Sequence, residues 1–136
     1  MKRLAIVLCA TCLIFAGCGP SFYEVRKDQL LKTVTIKDYG KRPPTDYQEI
    51  EKKMILESLK DPDSAKFEWG NVTKDIMPQD GSLDLEPVFV WISSVRVNAK
   101  NGFGGYNGFQ RCLFAWKNGK LYAIVPLGSD WWEYLK

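Results

Sequence analysis

The clearest hydrophobic pattern in the chain is helical. Between residues 47 and 60 the apolar side chains recur at the spacing of one helix face, and they are Tyr47, Ile50, Met54, Ile55 and Leu59. This stripe predicts an amphipathic helix from Tyr47 to Lys60 that buries one face. Asp46 precedes the stripe and is expected to cap the helix, because a short acidic side chain there accepts a bond from a free backbone amide.

After this helix the pattern becomes that of strands. The longest candidate runs from Val88 to Lys100, where apolar residues share one parity in the second half and Arg96, Asn98 and Lys100 share the other. Further strands are predicted at Lys66–Val72, Phe109–Trp116 and Leu121–Leu127. The dipeptide Asn118-Gly119 joins the last two strands and favours a tight hairpin.

Two other segments complete the predicted fold. The polar stretch Thr73–Glu86, centred on Asp80-Gly81, is interpreted as a loop. A short strand is predicted at Thr33–Lys37. The pattern as a whole predicts an α+β fold, with one N-terminal helix packed on a three- to four-stranded antiparallel meander.

The pair Asp61-Pro62 marks the end of the predicted helix. Proline disfavours helical geometry in the residue before it, and the pair can start a new single turn. Asp61 would cap that turn and accept a hydrogen bond from the amide of Ser64. The turn is expected to direct Phe67 towards the core.

The stretch from Asn98 to Arg111, NAKNGFGGYNGFQR, holds four glycines in seven positions. A phosphate-binding P-loop needs Lys-Ser or Lys-Thr after its glycines, and none follows here. A dinucleotide fingerprint fails as well, because Asn107 stands where its third glycine is required. The stretch is therefore interpreted as a wide hairpin connection with a bulge, in which glycine supplies positive φ angles.

The N-terminus has the layout of a secretory signal peptide. Lys2 and Arg3 precede an apolar run from Leu4 to Phe15, and small residues follow. The run is shorter than the roughly twenty apolar residues that a membrane-spanning helix needs. The segment is therefore expected to be an export signal, not a membrane span.

The end of that run, Phe15-Ala16-Gly17-Cys18, resembles the lipobox of bacterial lipoproteins. The resemblance implies removal of residues 1–17 and acylation of Cys18, which anchors the chain stably when more than one acyl chain is attached. Gly19 is similar to the residue found after the acylated cysteine in enterobacterial lipoproteins of the outer membrane. An ordinary cleaved signal with an incidental cysteine is the alternative.

The chain is thus predicted to divide into a signal peptide (1–17), a lipidated tether (18–45) and a single domain (46–136) that faces the periplasm. Loss of Lys2 and Arg3 lowers the formal net charge from +3 to +1, so nothing indicates a nucleic-acid partner. Cys112 would remain as the one free thiol. It lies in an apolar run and is expected to be buried.

Two motifs resemble those of a poorly characterised group of small exported bacterial proteins. They are KDPDSAKF at residues 60–67 and VNAKNGFGGYNGF at residues 97–109, and the similarity covers roughly residues 47–115. The resemblance implies the α+β arrangement already predicted. It implies no particular activity.

Catalysis is not favoured by the residues present. The chain has no histidine, which removes the commonest general base and the commonest metal ligand. A Ser-Lys or carboxylate pair is formally possible, but the acids Asp61, Asp63, Asp80, Asp84 and Glu86 lie in predicted turns and loops. We therefore expect no enzyme activity, no cofactor and no metal site.

A binding role at the cell envelope is expected instead. The chain would be an accessory subunit of an envelope assembly, an exclusion or immunity lipoprotein of a phage or plasmid, or a binder of cell-wall glycan. Candidate contact residues on the polar sheet face are Arg96, Asn98, Lys100, Tyr106 and Arg111, with a merely solvated face as the alternative. A second candidate set is Trp131, Trp132 and Tyr134, with a structural strap as the alternative.

Overall fold

The sheet is built around one long strand. The structure is a computed structural model that describes residues 22–78 and 86–128. Cys18, Trp131, Trp132 and Tyr134 lie outside the described residues. The helices are α1 (Phe22–Thr33), α2 (Ile36–Tyr39) and α3 (Tyr47–Ser58), with a 3₁₀ turn at Pro62–Ser64. The strands are β1 (Lys66–Trp69), β2 (Thr73–Met77), β3 (Val88–Asn98), β4 (Gln110–Lys117) and β5 (Lys120–Val125).

All strand pairs are antiparallel, and β1 and β2 lie end to end along the same edge of β3. Residues Lys66–Trp69 pair with the second half of β3, and Thr73–Met77 pair with its first half. At the break, the amide of Gly70 donates to the carbonyl of Ser94 at 2.8 Å. The order continues through β4 to β5, so the described sheet is a meander whose edge strand is interrupted once.

The predicted α+β class is confirmed, while the number of elements differs. The described residues contain three helices instead of one and five strands instead of three or four. The loop predicted over Thr73–Glu86 is wrong at its start, because β2 occupies Thr73–Met77. This strand lies at a sheet edge and keeps Thr73 and Lys74 exposed, so its sequence has little of the apolar character by which strands are recognised.

The strand predicted at Thr33–Lys37 is also wrong. The carboxylate of Asp38 accepts hydrogen bonds from the backbone amide of Thr35 at 2.7 Å and from its hydroxyl at 2.9 Å. This contact fixes the start of α2 in the manner of a capping box, with aspartate in place of glutamate. The short helix that follows places Tyr39 in the core, with 2% of its surface exposed.

Helix α3 covers one face of the sheet, called here the helix face. Ile55 from α3 and Tyr39 from the segment before it pack with strand residues of one parity, and these are Trp91, Val95, Val97, Cys112, Phe114 and Trp116. Phe67 packs against the same cluster, as the sequence predicts, and it also stacks on Trp69. The predicted stripe is therefore buried only in part: Ile55 lies in the core and Tyr47 and Leu59 pack against it, whereas Ile50 and Met54 are exposed. Helix α3 also ends at Ser58, before Lys60.

The other side of the sheet, called here the opposite face, carries a second apolar cluster. Its buried members all come from strands, and they are Met77, Val90, Ile92, Leu113, Ala115 and Val125. Towards the end of β3 this face turns polar, with Arg96 and Asn98 in register with Glu68 and Lys66 of β1. The alternation of apolar and polar residues in the second half of β3 therefore has the predicted orientation.

The predicted turn chemistry is confirmed in one place and corrected in two. Asn118 and Gly119 both have positive φ angles, 54° and 74°, as a tight hairpin requires. Asp46 and Asp61 occupy their predicted cap positions, but neither side chain makes a capping bond. The predicted bond from the amide of Ser64 to Asp61 is present at 3.4 Å, but its acceptor is the backbone carbonyl of Asp61, which also accepts from the hydroxyl of Ser64 at 2.9 Å. None of the described helices is long and apolar enough to span a membrane.

Candidate functional site

The glycine-rich segment between β3 and β4 is organised by one side chain, that of Asn101. Its Oδ1 accepts hydrogen bonds from the backbone amides of Phe103 at 2.9 Å and Gly105 at 3.1 Å. Its Nδ2 donates to Oδ1 of Asn107 at 2.9 Å. The backbone of Asn101 closes the turn, because its amide donates to the carbonyl of Gly105 at 2.8 Å. The segment is thus held in a defined conformation.

Two of the glycines in this segment have left-handed backbone geometry. Gly104 has a φ angle of 82° and Gly108 one of 86°. Such angles are unfavourable for residues with a Cβ, which explains why glycine occupies these positions. The segment is therefore a turn whose backbone requires glycine at these two positions, in agreement with the interpretation of its sequence.

Phe103 lies at the tip of this turn, and 100% of its surface is exposed. A large apolar residue in that position is unusual because its burial would stabilise the fold. Tyr106 and Phe109 in the same segment are also exposed, by 44% and 37%. Three aromatic side chains therefore lie on one surface segment, called here the aromatic loop (residues 101–109).

The two motifs that resemble the exported bacterial group meet at Ser64. Its hydroxyl accepts from the backbone amide of Lys100 at 2.8 Å. Its carbonyl accepts from the hydroxyl of Tyr106 at 3.3 Å. The turn after α3 is therefore bonded directly to the base of the aromatic loop, and the two distant motifs form one local structure.

Cationic side chains lie over the aromatic rings of this loop. The Nζ atoms of Lys66 and Lys100 lie 4.7 Å and 5.8 Å from the ring centroid of Tyr106. The guanidinium of Arg96 lies 5.0 Å from the ring centroid of Phe109. These distances are in the range of cation–π attraction, so each contact helps to position an exposed ring.

The structure brings the five sheet-face candidates to one end of the opposite face. Arg96 and Arg111 are directly paired across β3 and β4. Lys100 and Tyr106 are bridge partners, and Asn98 lies between the two pairs in the chain. Arg96 is partly neutralised, because its guanidinium forms an ion pair with Glu68 at 2.8 Å.

Asn98 has a polar atom without a partner. Its Oδ1 is buried and makes no hydrogen bond with the described residues. An unpaired buried acceptor lowers stability and is uncommon in folded proteins. Because this oxygen is inaccessible to solvent, it is not available to contact a partner in this conformation.

Sequence reasoning did not select Phe103, Ser64 or Lys66 as site residues. Ser64 lies 36 positions from Lys100, so no spacing rule links them. Phe103 could have been selected from its position at the middle of a glycine-rich turn, where an apolar side chain has no neighbour to bury it. The second candidate set, Trp131, Trp132 and Tyr134, lies outside the described residues.

Besides Tyr39, two ionisable groups are buried on the helix face. The side chain of Glu51 is inaccessible to solvent and accepts hydrogen bonds from Ser93 Oγ and Trp116 Nε1, both at 2.7 Å. Burial raises the pKa of this carboxyl, and the two hydrogen bonds only partly offset that rise. Burial also raises the pKa of the Cys112 thiol to about 12, so it stays protonated at neutral pH.

Within the described residues there is no group of three or more histidine, cysteine, aspartate or glutamate side chains that could hold a metal ion. The amino-acid sequence matches no protein-family model and no curated protein, and the fold matches no solved structure.

Proposed function

We propose that this chain is a lipid-anchored envelope protein that faces the periplasm and acts as a non-enzymatic protein-binding module. The observation that carries the proposal is the full exposure of Phe103 at the tip of an ordered turn. Aromatic residues are enriched among those that contribute most to protein–protein binding. Phe103 is the side chain that we expect to enter a pocket on the partner.

The fixed conformation of the aromatic loop supports this role. Binding costs less conformational entropy when the contact residues are held in place beforehand. The bonds from Asn101 to the amides of Phe103 and Gly105 hold the turn, and Ser64 holds its base. The loop is therefore suited to present Phe103 to a partner without first having to fold.

The charge around the loop indicates the character of the partner's surface. Lys66, Lys100, Arg96 and Arg111 lie close to the loop, and Glu68 is paired with Arg96. A partner with an apolar pocket and an acidic rim would complement this arrangement. A role in assembly and a role in exclusion would use the same contact, so the identity of the partner distinguishes them.

A protein partner is favoured over glycan by the positions of the three tryptophans that the structure describes. Sugar-binding platforms need exposed aromatic faces, and Trp91 and Trp116 are 4% and 2% exposed. Trp69 is half-buried and packs edge-on against Tyr47. Phe103 is the most exposed aromatic residue of the loop. It lacks the hydroxyl or ring nitrogen that commonly contacts sugar.

The proposal is tested by crosslinking in intact cells, with Phe103→Ala compared with Tyr122→Ala. Tyr122 is 51% exposed on β5 and serves as the matched control, because it is an aromatic residue outside the aromatic loop. Loss of a central contact typically weakens binding by about 2 kcal/mol or more, so Phe103→Ala should abolish a crosslinked species that Tyr122→Ala keeps. Both variants should melt at the same temperature as the wild type. The same crosslinked species in both variants would refute the proposal.

A further inference from the structure

A cavity of about 510 Å³ lies between the end of α3, the base of the aromatic loop and the ends of β3 and β5. Pockets that bind small molecules are typically about 300–1,000 Å³, and their walls are mostly apolar with a few polar groups. The walls of this cavity are likewise mostly apolar, with a few polar groups. Phe103 at the exposed tip does not line this cavity. A ligand in the cavity would therefore be distinct from the protein partner proposed for the tip.

The floor of the cavity belongs to the core of the domain. Val97, Cys112 and Phe114 line it, and each is 3% exposed or less. The side walls are the half-buried residues Leu59 and Ile124. Because the Cys112 thiol stays protonated, the floor carries no charge. An occupant must therefore present an apolar body to the floor and walls.

The mouth of the cavity has a different character. Lys60 and Lys100 line it, together with the polar side chains of Asn101, Asn107 and Gln110. Among the described residues that line the cavity, both charged residues are cations and none is an acid. Asp61 follows Lys60 in the chain, but it does not line the cavity. Positive charge beside an apolar wall favours an anionic group at the mouth.

The mouth is partly held in place by bonds that were described for the aromatic loop. The backbone of Lys100 is bound to Ser64, and the side chains of Asn101 and Asn107 are bound to each other at 2.9 Å. This side of the mouth does not have to reorganise when an occupant enters, which reduces the entropic cost of binding.

From this division between an apolar floor and a cationic mouth, we infer that the cavity binds an amphipathic anion. The occupant has a single alkyl chain or a comparable apolar body inside the cavity and a carboxylate or phosphate at Lys60 and Lys100. The cavity and the tip that carries Phe103 are different surfaces, although Lys100 lies beside both the cavity and the ring of Tyr106.

The inference is tested on the purified full chain with two fluorescent dyes that differ by one group. Anilinonaphthalenesulfonate carries an anionic sulfonate, and phenylnaphthylamine is the same ring system without it. The anionic dye should bind at one site and be displaced by decanoate or decyl phosphate, but not by decanol. Comparison of decanoate with decyl phosphate identifies the preferred head group.

Substitutions in the lining test whether the dye binds in this cavity. Lys60→Gln combined with Lys100→Gln should weaken binding of the anionic dye about tenfold, as expected when a charge-assisted contact is lost. Ala99→Phe adds a ring to the lining and should abolish binding of both dyes. Lys53→Gln, on the exposed side of α3, is the matched charge control and should change nothing. Near-ultraviolet circular dichroism shows that each variant is folded.

Three results would overturn the inference. They are equal affinity for the two dyes, displacement by decanol as effective as displacement by decanoate, or binding of the anionic dye that persists in folded Ala99→Phe. Loss of the crosslinked partner in Phe103→Ala with unchanged dye binding would leave this inference intact. The two proposals can therefore fail separately.

Discussion

The indole nitrogen of Trp116 donates a hydrogen bond to Oε1 of Glu51 at 2.7 Å, across the interface between α3 and the sheet. The contact joins residues 65 positions apart and lies in the buried interior. Ser93 donates to the other carboxylate oxygen, so both acceptors of Glu51 are used. Apart from these two neutral donors, no hydrogen bond or ion pair to a cation is found for this carboxylate among the described residues.

Replacement of Glu51 by Gln should remove a pH dependence of stability. Because burial raises the pKa of Glu51 above its unfolded value, its stabilising contribution is complete below pH 4.5 and is lost as the pH rises through the folded pKa. The glutamine side chain would keep both bonds, with its oxygen accepting from Trp116 and its amide donating to Ser93. Urea unfolding between pH 4 and pH 8 should therefore show a smaller decline in the variant.

The control for this experiment is Glu57→Gln, an exposed site on the same helix. Its free energy of unfolding should follow that of the wild type across the pH range. A pH slope in Glu51→Gln that equals the wild-type slope would show that Glu51 is not the responsible group.

Gly104→Ala should destabilise the domain, whereas Gly105→Ala should not. Gly104 has a φ angle of 82°, and a residue with a Cβ in that region costs about 1 kcal/mol or more. Gly105 lacks this angle, and a Cβ there would lie 3.9 Å from the side chain of Asn101, in ordinary contact. Urea unfolding of the two variants measures the difference, and equal free energies would indicate that the turn relaxes when either glycine is replaced.

Ser64→Ala should loosen the base of the aromatic loop. The change removes the acceptor of the Lys100 amide, and loss of one such bond typically costs about 1–2 kcal/mol. Hydrogen exchange should accelerate at Lys100. Ser58→Ala is the control, because the Ser58 hydroxyl bonds within its own helix, to the carbonyl of Ile55. Unchanged exchange at Lys100 in Ser64→Ala would contradict the assigned role.

Cys18→Ala should move the protein from the membrane fraction to the soluble fraction. The reason is that the proposed acylation uses this residue, and stable anchoring needs more than one acyl chain. Fractionation of cells after a carbonate wash measures the distribution. A variant that stays with the membrane after the wash would refute the lipoprotein assignment, and density-gradient separation of wild-type membranes tests the outer-membrane assignment.

Elements with strong local signals could be predicted from the sequence. The apolar stripe from Tyr47 to Leu59 indicated α3, and Asn118-Gly119 indicated the β4–β5 hairpin. The signals are strong because helical periodicity and positive φ angles depend on residues close together in the chain. Strand β2 gave no such signal, since its pairing with β3 depends on a partner about fifteen positions away.

The candidate site was predictable only in part, for the same reason. Parity within the predicted strand Val88–Lys100 placed Arg96, Asn98 and Lys100 on one face without any tertiary information, although β3 itself ends at Asn98. The contacts of Ser64 with Lys100 and Tyr106 depend on how the turn after α3 meets the end of the sheet. The bonds of Asn101 to Phe103 and Gly105 depend on the exact backbone conformation of the turn. The sequence does not specify that conformation, because glycine can adopt many backbone angles.

The segment that follows α2 is docked at the end of the sheet away from the aromatic loop. Gly40 accepts a bond from Trp91 Nε1, and Lys41 accepts one from the amide of Gly119 in the β4–β5 hairpin. Strand β3 separates this end from the loop by 11 residues, or about 35 Å. If Cys18 holds the chain at a bilayer, the rigid sheet acts as a spacer. Because α1 also contacts the sheet through the ion pair of Lys27 with Asp75, the length of the sheet and that of the segment before α1 would set the height above the lipid surface at which Phe103 can meet a partner.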